Sequence, residues 1–263
     1  MLTNAARKAL IASLGPRQLR ILQRVERDGF ASIDDMSQDF SVTPQTIRRD
    51  INWLCRRGLL RRYHGGAGLP STVENVAYNA RRVLNFEEKK RIGELVAQHI
   101  PDQASLFVSL GTTAKEAAKA LRNHKDLRVI TNNINVAFTL RDNASFQVMV
   151  TGGLVRARDA GITGEATIDF VRQFRVDFAL MGISSVGLDG SLFEFDYREV
   201  RVLRAIMQNS RKVFLLADHS KFGRDAMVRL GDVSEIDALF TSAPPPESLR
   251  AALAKAETAL LIA

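Results

Sequence analysis

The chain of 263 residues has little of what disulfide-bonded, metal-binding or membrane proteins need. A single cysteine, Cys55, excludes an internal disulfide, and we expect it to be a packing residue. No apolar run approaches the ~18–20 residues of a membrane span, and the short one before Pro16 is a weak signal-peptide candidate. Four histidines lie far apart without metal-ligand spacing, so we expect no metal and no cofactor: His64, His99, His124 and His219. The weak signal-peptide candidate and the lack of a long apolar run predict a cytoplasmic protein without membrane contact.

Positive charge is present in excess and is unevenly distributed. The net charge is +8, yet residues 1–70 hold 12 Lys+Arg against 6 Asp+Glu, while the rest of the chain is nearly balanced at 25 against 23. A basic segment joined to a nearly neutral one is typical of a polyanion binder attached to a second module.

Residues 32–56 carry the pattern of two short helices joined by a tight turn. Ser32, followed by Asp35, is a capping-box-like helix start. Thr43 suits an N-cap and Pro44 suits the first helical position, and only residues 41–43 link the two segments. This spacing predicts a helix-turn-helix, the arrangement that places its second helix in the major groove of DNA.

The second of these helices predicts a buried and a polar face. Ile47, Ile51 and Leu54 recur at helical spacing and form the buried stripe. The opposite face carries arginines, which bond guanine bidentately, and amides, which bond adenine, while its N-terminus suits a phosphate. The alternative is that these polar residues only face the solvent. The N-cap, the apolar stripe, the short turn and the positive charge together favour a DNA-binding helix. Ser32 in the preceding helix and seven residues here are the candidate contacts: Thr43, Pro44, Gln45, Thr46, Arg48, Arg49 and Asn52.

A glycine-rich turn follows the second helix. Arg61, Arg62 and His64 flank Gly65–Gly66 in the stretch "RRGLLRRYHGGAGLP". We expect a two-stranded wing whose basic side chains contact the DNA backbone or the minor groove. The alternative is that Gly65–Gly68 forms only a turn.

From Phe86 onward, short apolar runs alternate with helical patterns. This rhythm predicts βαβ units and a mainly parallel sheet covered on both faces, so the fold class is α/β with an added winged helix-turn-helix. We expect an N-terminal extension over residues 1–15, a DNA-binding domain over 16–70, a polar linker over 71–85 and a sensor domain over 86–263.

Three predicted strands of this domain end in polar or glycine-rich turns. They end at Gly111–Thr113, at 131–133 and at 151–153, and Thr113 with Glu116 has the spacing of a capping box. Ligands of parallel sheets bind outside the carboxyl ends of the strands, so these turns predict a site for a small phosphorylated ligand. The candidate residues are Gly111, Thr112, Thr113, Asn132, Gly152 and Gly153.

Charged residues beyond these turns extend the candidate site. Glu194 and Asp196 alternate with aromatic residues in "GSLFEFDYREVR", which fits either hydroxyl recognition on a polyol or salt bridges to Arg198, Arg201 or Arg204. Lys221 follows a predicted strand end and could meet a phosphate as a point charge. Asp218 could orient that lysine or cap a turn.

Both parts of the chain resemble one known family. The stretch "SVTPQTIRRDINWLCRRGLLRRYHGGA" resembles the DNA-binding segment of the DeoR family of bacterial transcriptional regulators. The stretches "TNNINVAFTL", "DGSLFEFDYREVR" and "DHSKFGRDAMV" resemble its sensor domain, which is related in fold to ribose-5-phosphate isomerase-like enzymes. Ser109 and Leu203 depart from the family pattern, where an acidic residue and a lysine are usual.

The resemblance implies a repressor of glycerol metabolism. It implies release from a double-stranded DNA operator by a small phosphorylated effector, sn-glycerol 3-phosphate or another sugar phosphate, and a homo-oligomer, a tetramer in this family. One alternative is an isomerase-like enzyme with an added DNA-binding module and Glu194 or Asp196 as its base, but no nucleophile–base pair is apparent. Another alternative is a DNA-binding activator or architectural protein without a small ligand.

Overall fold

The structure of the protein, a computed structural model, describes residues 10–28, 30–63, 65–69 and 78–263. The chain divides into two compact units, Met1–Asn85 and Phe86–Ala263. Across the described residues, no helix combines the length and the apolar composition that crossing a bilayer requires.

The N-terminal unit is a winged helix-turn-helix. Its three larger helices are α1 (Pro16–Asp28), α2 (Ile33–Asp39) and α3 (Pro44–Arg56), and a short helix, α4 (Tyr78–Val83), lies within the stretch predicted as a linker. Its antiparallel sheet consists of β1 (Phe30–Ser32), β2 (Arg61–Tyr63) and β3 (Gly66–Gly68) in the order β1-β3-β2.

The core of this unit confirms the predicted apolar stripe of α3. Ile47, Ile51 and Leu54 are fully buried and pack with apolar side chains of α1 and α2. Residues 10–12 are helical, and Leu10 and Ile11 pack against the same core. The later part of the N-terminal extension, for which the sequence predicts no role, therefore contributes to the packing of this unit.

The wing is a two-stranded prediction that becomes part of a three-stranded sheet, because it pairs with β1, a strand that the sequence pattern does not predict. β3 pairs with β2 as expected, but it also pairs with β1, and Ile33 N donates to the Gly65 carbonyl at 2.8 Å. A Cβ atom at Gly66 would lie 2.3 Å from the Ala31 carbonyl oxygen, so only glycine allows β1 and β3 to approach this closely.

The C-terminal unit is built on a parallel sheet of seven strands in the order β15-β14-β12-β9-β4-β5-β6. These strands are β4 (Ser105–Val108), β5 (Arg128–Thr131), β6 (Gln147–Val150), β9 (Val176–Gly182), β12 (Ser210–Ala217), β14 (Ala238–Thr241) and β15 (Ala259–Ile262). Two small antiparallel sheets accompany it: β7 (Leu154–Arg156) with β8 (Gly161–Thr163), and β10 (Ser185–Val186), β11 (Ser191–Glu194) and β13 (Val228–Asp232).

Helices cover both faces of the parallel sheet, as the alternating sequence pattern predicts. One face packs against α5 (Phe86–Ala97), α6 (Thr112–Ala120) and α7 (Ile134–Leu140). The other packs against α8 (Glu165–Val171), α9 (Tyr197–Gln208) and α10 (Glu247–Lys255). The unit is therefore a three-layer α/β domain, which confirms the predicted fold class.

Candidate nucleic-acid interface and sensor site

The start of α3 is fixed by the predicted cap. Thr43 has extended backbone angles, and its Oγ1 accepts a hydrogen bond from Thr46 N at 3.3 Å, while Pro44 takes the first helical position. The Thr43 and Thr46 hydroxyls also lie 2.9 Å apart. Ser32 caps α2 in the same way, accepting from Asp35 N at 3.0 Å. Both helices of the motif therefore begin where the sequence predicts.

Three predicted DNA contacts lie exposed on the first turns of α3. Gln45, Arg48 and Arg49 are all exposed, on the side opposite the buried stripe. Within the described part of the chain, neither arginine forms a hydrogen bond or ion pair, so both guanidinium groups are available to an external partner. Uncompensated cations at a helix N-terminus suit phosphates and guanine edges.

The remaining predicted contacts that the structure describes lie on α3 and on the wing. Arg62 on β2 is exposed and donates from Nη1 to Asn52 Oδ1 at 2.9 Å. Arg61 is half-buried and has interactions within the chain. His64 lies outside the described residues. The structure therefore joins the predicted wing and helix residues through the Arg62–Asn52 bond.

A residue that sequence reasoning missed holds α3 in place. Asp50 is buried on the apolar stripe, and Arg17 Nε of α1 donates to its Oδ2 at 2.5 Å. The hydrogen bond and charge of Asp50 raise the pKa of Arg17 above its ordinary value. A buried acidic side chain requires a partner of opposite charge or a hydrogen-bond donor. Asp50 lies three residues after Ile47, on the buried face of the helix, and this spacing could have predicted that Asp50 has such a partner.

Three predicted effector turns meet at one edge of the parallel sheet. Because β4, β5 and β6 are adjacent and parallel, Gly111, Asn132 and Gly152–Gly153 all lie at their carboxyl ends. Asn133 Nδ2 donates to the Ser109 carbonyl at 3.3 Å, which joins the first two turns. The structure therefore places these three sets of residues together, as the strand order requires.

The predicted capping box at Thr113 is wrong. The N-cap of α6 is Gly111, with φ of 140°, and no side chain among the described residues caps the helix. Thr113 already lies inside the first turn and is buried, while Glu116 pairs with Lys119 at 2.8 Å. The helix start therefore offers backbone N–H groups without a competing side-chain cap.

Glycine is required at one of these turns and at the neighbouring end of β9. A Cβ atom at Gly153, where φ is 134°, would lie 2.5 Å from Thr167 Oγ1. A Cβ atom at Gly182, at the end of β9, would lie 2.8 Å from the Leu110 carbonyl oxygen. Both glycines allow the backbone segments around the strand ends to approach one another.

Glu194 and Asp196 differ in their surroundings. Glu194 is buried at the end of β11, whereas Asp196 is the N-cap of α9 and accepts from Arg198 N at 2.9 Å. Tyr197 begins the helix, so the predicted alternation ends there. Of the two readings left open for Asp196, the structure favours the salt bridge: Arg198 pairs with it at 3.3 Å.

Arg156, which the sequence does not single out, forms ion pairs with residues of this acidic segment and with Asp159. Its guanidinium, with 7% side-chain exposure, lies within 3.0 Å of carboxylate oxygens of Asp159, Asp196 and Glu199. Burial acts to lower the pKa of Arg156, but the charges of Glu199 and Asp159 raise it above its ordinary value. Burial acts to raise the pKa of Asp196, but hydrogen bonds from Arg198 and Arg156 hold it below its ordinary range.

Lys221 lies in a short 3-10 turn that directly follows β12. It is buried, and Asp218 caps the turn by accepting from Ser220 N at 3.1 Å.

A separate group of side chains near this turn could hold a metal ion. Its possible ligand atoms lie within 4.8 Å of one another and belong to Asp218, His219 and Glu88 of α5. The spacing of the histidines in the sequence does not predict this grouping, because only one histidine takes part and Glu88 lies about 130 residues before it. Glu88 hydrogen-bonds His219 Nδ1 at 2.7 Å and Ser242 Oγ at 2.5 Å.

Comparisons with known proteins agree with this arrangement. Residues 17–73 match the DeoR-like helix-turn-helix domain, and residues 84–243 match the DeoR C terminal sensor domain. The chain is 51% identical to the glycerol-3-phosphate regulon repressor of Escherichia coli (strain K12), over 87% of this chain and 91% of that protein. It is 48% identical to the Haemophilus influenzae protein of the same name, over 87% and 89%.

More distant similarities follow. The HTH-type transcriptional repressor CsqR of Escherichia coli (strain K12) is 40% identical over 94% of this chain and 95% of its own length. Ribose 5-phosphate isomerase A of Methanocaldococcus jannaschii has a TM-score of 0.39 and 14% identity, over 52% of this chain and 55% of its own. The two domain matches and the 51% identity show that the chain belongs to the DeoR family of DNA-binding transcriptional repressors.

Proposed function

We propose that this repressor binds a palindromic operator through the exposed face of α3 and is released by a small phosphorylated effector, with sn-glycerol 3-phosphate as the first candidate. The observation that carries the DNA contact is the pair of exposed arginines, Arg48 and Arg49, which have no partner within the described residues. Guanidinium groups in this position can read guanine bidentately or bind backbone phosphates.

The effector proposal rests on the edge where β4, β5 and β6 end. The uncapped N-terminus of α6 presents backbone N–H groups and two buried threonines, Thr112 and Thr113. Lys221 follows β12, two strands from β4, and adds a buried cation at the same edge. Helix N-termini and lysine both stabilise phosphate. Two relatives, 51% and 48% identical, are named for the glycerol-3-phosphate regulon.

Operator binding of this kind requires more than one copy of the chain. A helix-turn-helix dimer reads two half-sites about 34 Å apart, so we propose a homo-oligomer, a dimer or a tetramer, as the functional species. The effector then acts by favouring a subunit arrangement that misplaces the two α3 helices. A coupling free energy of about 1–3 kcal/mol lowers operator affinity by about 5–150-fold, which is enough to switch transcription.

The test is a fluorescence anisotropy titration of the full chain on promoter fragments of glycerol-utilisation genes from its host. We expect salt-sensitive, sequence-specific binding that weakens when sn-glycerol 3-phosphate is added and is unaffected by glycerol. Unchanged affinity at saturating sn-glycerol 3-phosphate would reject this effector. A panel of other sugar phosphates in the same titration then separates a different phosphorylated effector from a repressor without one.

A further inference from the structure

Three buried oxygen atoms beside the strand ends have no hydrogen-bond partner among the described residues. They are Asn132 Oδ1, Thr151 Oγ1 and Thr163 Oγ1, on residues that are 3%, 3% and 1% exposed. A buried polar atom without a partner costs free energy, so such groups are rare in native proteins and require an explanation.

The sheet register places the first two of these side chains side by side. Thr131 pairs with Val150, and Thr151 N donates to the Thr131 carbonyl at 3.0 Å, so Asn132 and Thr151 occupy matching positions beyond β5 and β6. Side chains alternate between the faces of a sheet, so both lie on the side of Ile130 and Met149, the face covered by α8.

Backbone contacts bring the third residue to the same place. Ile162 N donates to the Asn132 carbonyl at 2.7 Å, and Asn132 Nδ2 donates to the Ile162 carbonyl at 3.0 Å. Thr163 follows directly, and a Cβ atom at Gly153 would lie 2.8 Å from its carbonyl oxygen. The backbone segments that carry Asn132, Thr151 and Thr163 therefore lie beside one another at the β5–β6 end of the edge.

The chemistry of this trio fits hydroxyl groups rather than a phosphate. The Asn132 amide nitrogen is already used on Ile162, so the free atom is its carbonyl oxygen, which only accepts. Each threonine hydroxyl accepts as well as donates. A phosphate also presents acceptors and would be repelled by the amide oxygen, whereas a ligand hydroxyl can donate to it.

We propose that Asn132, Thr151 and Thr163 form a hydroxyl-recognition subsite that selects polyol phosphates over simple alkyl phosphates. This inference rests on the proposed effector site and fixes the direction of the ligand. The phosphate lies toward Gly111–Thr113 and Lys221, and the carbon chain with its hydroxyl groups runs toward β6.

The test compares two ligands with the same three-carbon chain, sn-glycerol 3-phosphate and propyl phosphate, by isothermal titration calorimetry on the full chain. The ratio of their dissociation constants reports hydroxyl recognition alone, because both share the phosphate. The variants are Thr151→Val and Thr163→Val, which remove one hydroxyl at nearly constant volume. Thr241→Val is the matched control, since Thr241 Oγ1 is also buried without a hydrogen-bond partner in the described part of the chain but lies at the end of β14, three strands from β4.

We expect the wild type to prefer sn-glycerol 3-phosphate and each of the two variants to lose about threefold to tenfold of that preference, the range for one hydrogen bond. Propyl phosphate affinity and operator binding stay unchanged, and Thr241→Val keeps the full preference. An unchanged ratio in both variants, or an equal loss in the control, overturns the subsite while leaving the effector site intact. Failure of the wild type to bind either compound overturns the subsite together with sn-glycerol 3-phosphate as the effector, and leaves the proposed DNA contact intact.

Discussion

Arg62 on the wing donates to Asn52 on α3 at 2.9 Å, so a residue of one predicted DNA-contacting element orients a residue of the other. Both side chains are partly or fully exposed. A hydrogen bond between two exposed side chains contributes little to stability. It does restrict the Arg62 side chain before binding, so Arg62 loses less conformational entropy when it binds a phosphate. We therefore expect the bond to contribute more to DNA binding than to folding.

Asn52→Ala tests this relationship. We expect operator affinity to fall about threefold to tenfold while the free energy of unfolding changes by less than ~0.5 kcal/mol. Anisotropy titration and urea denaturation measure the two quantities. In an Arg62→Ala background the effect of Asn52→Ala should largely disappear, because there is no longer a guanidinium to orient. Full additivity of the two substitutions would instead mean that Asn52 contacts DNA independently.

Arg48→Ala should weaken specific operator binding and spare effector binding. Loss of one bidentate guanine contact costs about 1–3 kcal/mol, or roughly tenfold to a hundredfold in affinity, and loss of a phosphate contact lowers the salt slope by about one. Operator titrations at several salt concentrations distinguish the two cases. Arg172→Ala is the matched control, because Arg172 is an exposed arginine of the other unit.

Arg17→Ala should destabilise the N-terminal unit more than Asp50→Asn does. Removing the arginine leaves a buried carboxylate without its partner, whereas asparagine keeps an acceptor for Arg17. We expect about 1–2 kcal/mol for Arg17→Ala, below the value for fully buried pairs because the Arg17 side chain is 43% exposed, and less than ~1 kcal/mol for Asp50→Asn. Chemical denaturation followed through Trp53 fluorescence measures both, and a larger loss for Asp50→Asn would contradict this account.

Thr113→Val should abolish induction while operator binding is retained. The substitution removes a buried hydroxyl beside the uncapped start of α6 and keeps the side-chain volume nearly constant. We expect the effector to lose at least about tenfold in affinity if the Thr113 hydroxyl bonds a charged phosphate. Operator release as a function of effector concentration is the measurement. Simultaneous loss of operator binding would indicate misfolding instead.

Arg156→Met should destabilise the sensor unit in a pH-dependent way. It leaves Asp159, Asp196 and Glu199 without their shared cation, which we expect to cost about 3–5 kcal/mol at pH 7. The wild-type pKa of Asp196 is lowered, so its contribution to stability is present above the unfolded pKa, about 3.9, and is lost as the pH falls through the lower folded value.

The stability difference between wild type and Arg156→Met should therefore narrow as the pH falls toward 4 and below, because protonation neutralises the carboxylates that have lost Arg156. Urea denaturation at pH 7, 5 and 4 measures this. Arg172→Met, which removes an exposed arginine 3.8 Å from Asp169, should show almost no effect at any of these pH values. A constant difference across the pH range would mean that Arg156 stabilises the unit through packing alone.

The sequence predicts local features well because they depend on near neighbours. The cap at Thr43, the buried stripe of α3 and the parallel strand ends all follow from spacing and residue type. The Thr113 capping box fails because Gly111, with its positive φ, starts the helix earlier than the threonine spacing indicates.

Long-range pairings could not be predicted in the same way. Arg17 meets Asp50 across 33 residues, and β3 pairs with β1 as well as with β2, contacts that no local pattern encodes. The same holds for Arg156, whose carboxylate partners Asp196 and Glu199 lie about 40 residues away. For the ion pairs, the sequence carries only an indirect signal. Asp50 is a charged residue on the otherwise apolar stripe of α3, and nothing near Arg156 in the sequence identifies Asp196 or Glu199 as its partners.

The position of β3 between β1 and β2 has a consequence for how DNA is read. Because β1 pairs with β3 and runs directly into α2, whose Ile33 N donates to the Gly65 carbonyl, backbone hydrogen bonds connect the described residues of the wing to the helix-turn-helix. We therefore expect that a duplex whose groove width displaces the wing also shifts the side chains of α3 relative to the bases. Groove shape and base identity would then be recognised together, so we expect a site with the correct sequence but a different groove shape to bind more weakly.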